Sequence, residues 1–152
     1  MKTNEAGRTL IKRWEGYRSK AYLCPAGVWT IGWGHTTGVK EGQTCTAEEA
    51  ERMLNADLAV AENALRAVLG PDLVARLNEN QFSALVSLVF NVGAQKLARS
   101  TLVRRLREGR FEGAALQFGR WVYAGGVQLP GLVARRRAEA LLFMAPLTGE
   151  AG

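Results

Sequence analysis

From Thr46 to Leu69 the chain carries one uninterrupted helical pattern, and everything else must be arranged around a rod of that length. Thr46-Ala47-Glu48-Glu49 has the form of a capping box, in which the Thr46 hydroxyl accepts from the Glu49 amide and the Glu49 carboxylate reaches back. Met53, Leu54, Leu58, Ala61, Leu65 and Val68 then trace one apolar stripe, and Gly70-Pro71 stops it. At 1.5 Å per residue this helix runs about 35 Å, enough to join two lobes. Asp57 interrupts the stripe between Met53 and Ala61, and a carboxylate in that place wants a partner.

The patterns on either side of the rod differ in kind. Leu10, Ile11 and Trp14 recur at helical spacing and predict a first helix ending near Glu15-Gly16. Residues 17 to 45 are rich in glycine, threonine and aromatics, with alternation across Val28-Trp29-Thr30-Ile31, which predicts short antiparallel strands and turns. Beyond the rod the chain reads as helices only. Phe82, Leu85, Val86, Val89 and Phe90 mark one, closed by Gly93; a second, capped by Ser100 or Thr101, carries Leu102, Val103 and Leu106 and ends at Gly109. A third spans Phe111 to Trp121, Gly125-Gly126 makes a turn, and Leu132 to Met144 forms the last. The expected class is α+β. A small strand-bearing N-terminal lobe, about residues 1–60, is joined by the long helix to a helical C-terminal lobe of about 61–152.

With 152 residues, a chain buries roughly 70% of its unfolded surface and needs no disulfide or metal staple. A net charge of +6 favours anionic partners. The one basic run, Arg135-Arg136-Arg137, lies inside a helical pattern and reads as a solvated face with packed aliphatic stems rather than a dedicated binding patch. Two cysteines, one histidine and no CxxC leave no zinc pattern. Nothing resembles a helix-turn-helix or an aromatic-basic platform, so no nucleic-acid partner is expected. The first residues, M-K-T-N-E-A-G-R-T-L-I-K-R-W, lack an apolar run, so neither a signal peptide nor stable membrane insertion is expected.

One short segment concentrates the chemistry: W-E-G-Y-R-S-K-A-Y-L-C-P-A-G-V-W-T-I-G-W-G-H-T, in which Glu15, Cys24 and Thr30 are separated by eight and five residues. An acid at a helix end facing a hairpin is one way to give a cleft an acid on one wall and a water-holding group on the other. The spacing resembles the signature of the phage-type lysozymes of glycoside hydrolase family twenty-four, Glu-x8-Asp-or-Cys-x5-Thr. A second block agrees: N-E-N-Q-F-S-A-L-V-S-L-V-F-N-V-G at Asn78 to Gly93, S-T-L at Ser100 to Leu102, Arg120-Trp121, and G-L-V-A-R-R-R-A-E at Gly131 to Glu139. These look like the soluble, lambdoid-phage branch, and the resemblance runs from about Asn4 to Met144.

The resemblance implies an endolysin that hydrolyses the β-1,4 bond between N-acetylmuramic acid and N-acetylglucosamine, without cofactor or metal. It makes Glu15 the general acid, where the bare sequence reads a helix-terminal charge. Cys24 stands where most relatives have Asp, and with Thr30 would position or activate the attacking water. By themselves these two fit a small half-buried hydrophobe and a plain strand residue. Thr36, Phe90, Asn91, Thr101 and Gln117 fall at substrate-contact positions, although the spacing of Phe90 fits core packing equally well. His35 and Asp57 match a structural ion pair, and Trp121 reads as a wedge in the helical core. The implied partner is the glycan strand of peptidoglycan. The implied state is a monomer that accumulates in the host cytoplasm and depends on a holin for access to the wall. Two alternatives stay open: a lytic transglycosylase, which needs only one carboxyl, and a non-catalytic wall-binding module.

Overall fold

The computed structural model describes residues 1–147, which form two compact units. One is Ile11–Val60; the other is Met1–Leu10 together with the chain from Ala61 onward. Helix α1 (Glu5–Glu15) and helix α2 (Ala47–Leu69) each contribute residues to both.

In the first unit, strand β1 (Arg18–Leu23) pairs antiparallel with β2 (Trp29–Gly32), Tyr22 opposite Thr30 and Leu23 opposite Trp29. The register slips between Arg18 and Tyr22, a bulge or irregularity in the ladder, and β1 is bridged on its other side by Lys20 to Thr44. The two-stranded sheet is too small to stand alone. Its support is a core of Ile11, Ile31, Ala50, Leu54 and Leu58, all buried. The α2 capping box is present as the sequence predicts: Glu49 N donates to Thr46 Oγ1 at 3.1 Å, and Thr46 N to Glu49 Oε1 at 2.9 Å. The Tyr17 and Trp33 rings lie 5.1 Å apart, with the Lys12 ammonium over Trp33 and paired to Glu51.

The second unit is built on α4 (Glu79–Val92), buried continuously from Phe82 to Val89. Each fully buried leucine or phenylalanine there contributes roughly 1.5–3 kcal/mol. Asn78 and Gln81 close a reciprocal cap at its start. Helices α3 (Pro71–Ala75), α5 (Ala94–Ala98), α6 (Thr101–Arg107), α7 (Phe111–Gln117) and α8 (Pro130–Met144) complete the unit. Phe118 and Phe143 meet at 5.6 Å beside α4. The N-terminal residues are tied in by Glu62, whose Oε2 accepts from Thr3 N and Thr3 Oγ1, both at 2.7 Å.

Three expectations need correction. The C-terminal part is not helical throughout: β3 (Tyr123–Ala124) and β4 (Val127–Gln128) form a small ribbon, because Gly125 and Gly126 at positive φ make a hairpin turn. The helix expected to reach Trp121 ends at Gln117 and tightens into a 3₁₀ turn over Phe118–Arg120. Arg135 and Arg136 do not lie on a solvated face. They are 4% and 1% exposed and enclose Glu139, which is 0% exposed; only Arg137 faces out. The spacing from Arg135 and Arg136 to Glu139, four and three residues, was the available sign of an intrahelical pair.

Candidate active site

Glu15 is the last residue of α1, half-buried, and Gly16 N closes the helix on Lys12 O at 2.9 Å. Its seat is the turn that continues β2. Ile31 and His35 exchange two backbone hydrogen bonds at 2.9 Å, folding Gly32-Trp33-Gly34 into a tight loop. Gly34 lies at φ +78°, and a Cβ there would fall 2.5 Å from Glu15 Oε1. The absence of a side chain at Gly34 therefore sets where the carboxylate rests. No sequence pattern pointed to this contact, beyond glycines flanking Trp33.

Gly34→Ala carries two costs. An L-residue at that φ loses roughly 1–2 kcal/mol, and the new methyl displaces the carboxylate. A misplacement of that order costs about 10²-fold in rate. The expected result is a folded protein with lysis reduced about 10²-fold and a modestly lower Tm. A parent-like lysis rate at equal folded concentration would show that the seat is irrelevant.

Cys24 follows β1 at the start of the turn into β2. Its N donates to Val28 O at 3.0 Å, and Gly27 N donates to Cys24 O at 2.8 Å. The thiol is half-buried and free. Its pKa is held below the ordinary cysteine value, first by the Val28 backbone amide and then by the Ala26 amide and the Thr30 hydroxyl, with burial opposing. A turn that aims N–H groups at sulfur favours the thiolate. Thr30 is 4% exposed and donates from Oγ1 to Val28 O at 3.0 Å. Cys24 and Thr30 thus share one hairpin and one set of polar groups, and the same strand runs on into the loop that seats Glu15.

His35, next to that loop, approaches α2: its Nδ1 donates to Asp57 Oδ2 at 2.8 Å, with both side chains largely buried. This contact answers the interruption of the α2 stripe and fastens the loop's outgoing end to the helix. Thr36 beside it is exposed.

The remaining predicted residues belong to the helical unit. Phe90 is half-buried and Asn91 exposed, in the last turn of α4. Asn91 Oδ1 accepts from Arg136 Nη2. Thr101 and Gln117 line a common cavity of about 290 Å³ with Ser100, Arg120 and Trp121. Trp121 is therefore half-exposed at a cavity wall rather than a wedge in the core. Gln117 Oε1 is buried without a hydrogen-bond partner among the described residues, a position that calls for a donor. Among the described residues no group of three or more His, Cys, Asp or Glu side chains is placed to hold a metal ion.

A family model described as phage lysozyme matches residues 12–139. The chain is 42% identical over 147 residues to an endolysin of Acyrthosiphon pisum secondary endosymbiont phage 1, covering 94% of this chain and 98% of that one. Among solved structures, the muramidase domain of SpmX from Asticaccaulis excentricus superposes with a TM-score of 0.84 at 39% identity, over 95% of this chain and 99% of that domain. The active form of the phage P1 endolysin gives 0.86 at 31% identity, over 94% of this chain and 85% of that one.

Proposed function

This chain belongs to the phage lysozyme family and hydrolyses peptidoglycan, and on that premise we propose how its own residues perform the reaction. The bond cut is the β-1,4 linkage from N-acetylmuramic acid to N-acetylglucosamine. Glu15, protonated, donates to the leaving glycosidic oxygen as the anomeric C–O bond breaks. Thr30 orients a water, and Cys24 as thiolate takes one of its protons while the hydroxide equivalent bonds to the anomeric carbon. The step leaves Glu15 ionised and Cys24 protonated, and exchange with solvent restores both. Because water attacks from the face opposite the leaving oxygen, the anomeric configuration inverts.

The observation that carries this reading is the Cys24–Thr30 hairpin. It holds a thiol whose pKa lies below the ordinary cysteine value beside a hydroxyl in the strand that continues into the Glu15 seat. That pair also favours hydrolysis over transglycosylation, since a transglycosylase closes the sugar's own hydroxyl onto carbon and has no use for a water-holding pair. Thr36, Phe90, Asn91, Thr101 and Gln117 supply glycan contacts, and the His35–Asp57 pair is structural. On this reading the protein is a monomer that accumulates in the host cytoplasm until a holin opens the way to the wall. No described helix is long and apolar enough to cross a membrane.

The test is the chemistry of the ends. Purified protein is expected to clear chloroform-permeabilised cells and leave reducing N-acetylmuramic acid termini. Predominantly 1,6-anhydro termini would establish the transglycosylase instead. Binding to the wall without clearing would reduce the protein to an adhesion module.

A further inference from the structure

The buried charges of the helical unit form a chain that ends at its surface. Glu139 accepts from Arg136 Nη1 at 2.6 Å, from Arg135 Nε at 3.3 Å and from Ser87 Oγ at 2.5 Å. Burial pushes its carboxyl up, and the two guanidiniums and the serine hydroxyl oppose that shift. Arg136, 1% exposed, commits each of its three nitrogens to a different partner. Nη1 goes to Glu139, Nε to Trp121 O at 3.0 Å, and Nη2 to Asn91 Oδ1. A planar guanidinium held at two points has little freedom at the third. Asn91 itself is exposed.

We propose that Arg136, anchored by Glu139, is a positioning residue that orients the Asn91 amide so that only its NH₂ faces the substrate. A guanidinium has donors and no acceptor, so the oxygen of Asn91 must turn inward. What Asn91 offers outward is then a donor. Its partner in the substrate is a carbonyl oxygen, on an N-acetyl group of the sugar or on the peptide stem. The inference rests on the reading of Asn91 as a substrate contact. It adds which chemical group is recognised and what enforces the choice.

The decisive variant is Asn91→Asp. It keeps an inward oxygen for Arg136, now charge-assisted, and replaces the outward donor with an acceptor. On solubilised, uncross-linked peptidoglycan strands we expect Tm equal to or above the parent's and KM raised roughly tenfold, with kcat changed much less. Measuring the same variant on peptide-free glycan oligomers identifies the oxygen. A penalty that persists places it on the sugar; one that vanishes places it on the stem. An unchanged KM on both substrates overturns the contact itself, while an active parent leaves the lysozyme reading intact. The positioning claim is tested by Glu139→Gln, and by Arg136→Lys should the first fail to fold, each in the parent and in Asn91→Ala. If the network acts through Asn91, either change raises KM in the parent and adds nothing in Asn91→Ala. An equal rise in both backgrounds overturns it. Should neither variant fold, Asn91→Gln decides: its longer side chain spoils the hold on Arg136 while keeping the NH₂, so KM rises, and a parent-like KM overturns the proposal.

Discussion

Glu15→Gln is expected to fold as the parent does and to lose lytic rate by about 10²–10⁴-fold, the usual contribution of a positioned general acid. The amide matches the carboxyl in shape, so it still fits the space left open at Gly34. What it lacks is a proton that can be released to a leaving oxygen. The measurement is the initial rate of clearing of permeabilised cells at equal folded concentration, with thermal melts run alongside. A rate above about a tenth of the parent's, from a protein with the same Tm, would mean that Glu15 is not the acid.

The second large effect is expected at Cys24. Cys24→Ala removes the group proposed to take the proton from water and should cost far more than Cys45→Ala. The two thiols differ in surroundings. Cys24 is held below its ordinary pKa by the Val28 amide, the Ala26 amide and the Thr30 hydroxyl, whereas burial and the Glu49 carboxylate push Cys45 up. Alkylation should therefore fall mainly on Cys24 and abolish lysis, because the adduct fills the space for water. Cys24→Asp keeps a base in the turn and should retain or increase activity. The sign of its pH effect follows from which form acts. The base must be deprotonated, so the rate rises as pH passes through its pKa, and a carboxylate near 3.9 ionises well below even a favoured thiol. The acid limb of the pH–rate profile should move to lower pH in Cys24→Asp. Comparable lysis by Cys24→Ala and the parent would remove Cys24 from the mechanism. An acid limb left in place by Cys24→Asp would remove it as the base.

Much of the architecture was legible because its determinants are local. The Thr46–Glu49 box, the α2 stripe and its Gly70-Pro71 stop, the Gly93 terminus of α4 and the Ser100 cap of α6 each depend on residues within a turn or two of one another. Ser100, not Thr101, makes the cap, with its hydroxyl accepting from Val103 N at 3.2 Å. The short helices α3 and α5 and the β3–β4 ribbon left too few residues for any period to register. At the site, the spacing of Glu15, Cys24 and Thr30 carried the family resemblance, and the structure sets that spacing on a helix end, one strand and its return.

The sequence alone, then, determined the order of the longer elements, the class of fold and the residue types available for acid catalysis. Hydrogen bonds and apolar periods within a few residues select those states, and they do so before any distant segment is in place. Tertiary structure decided what those residues touch. That Gly34 makes room for Glu15, that His35 meets Asp57, and that Arg135 and Arg136 are buried around Glu139 rather than solvated are outcomes of close packing between segments distant in the chain. An arginine in a helical run reads the same whether it points to water or to a carboxylate. Burial of the two charges is sustained by the acceptors around them, Ser87 O beside Arg135, Asn91 Oδ1 and Trp121 O beside Arg136, and Glu139 beside both, because these satisfy donors whose burial would otherwise be costly.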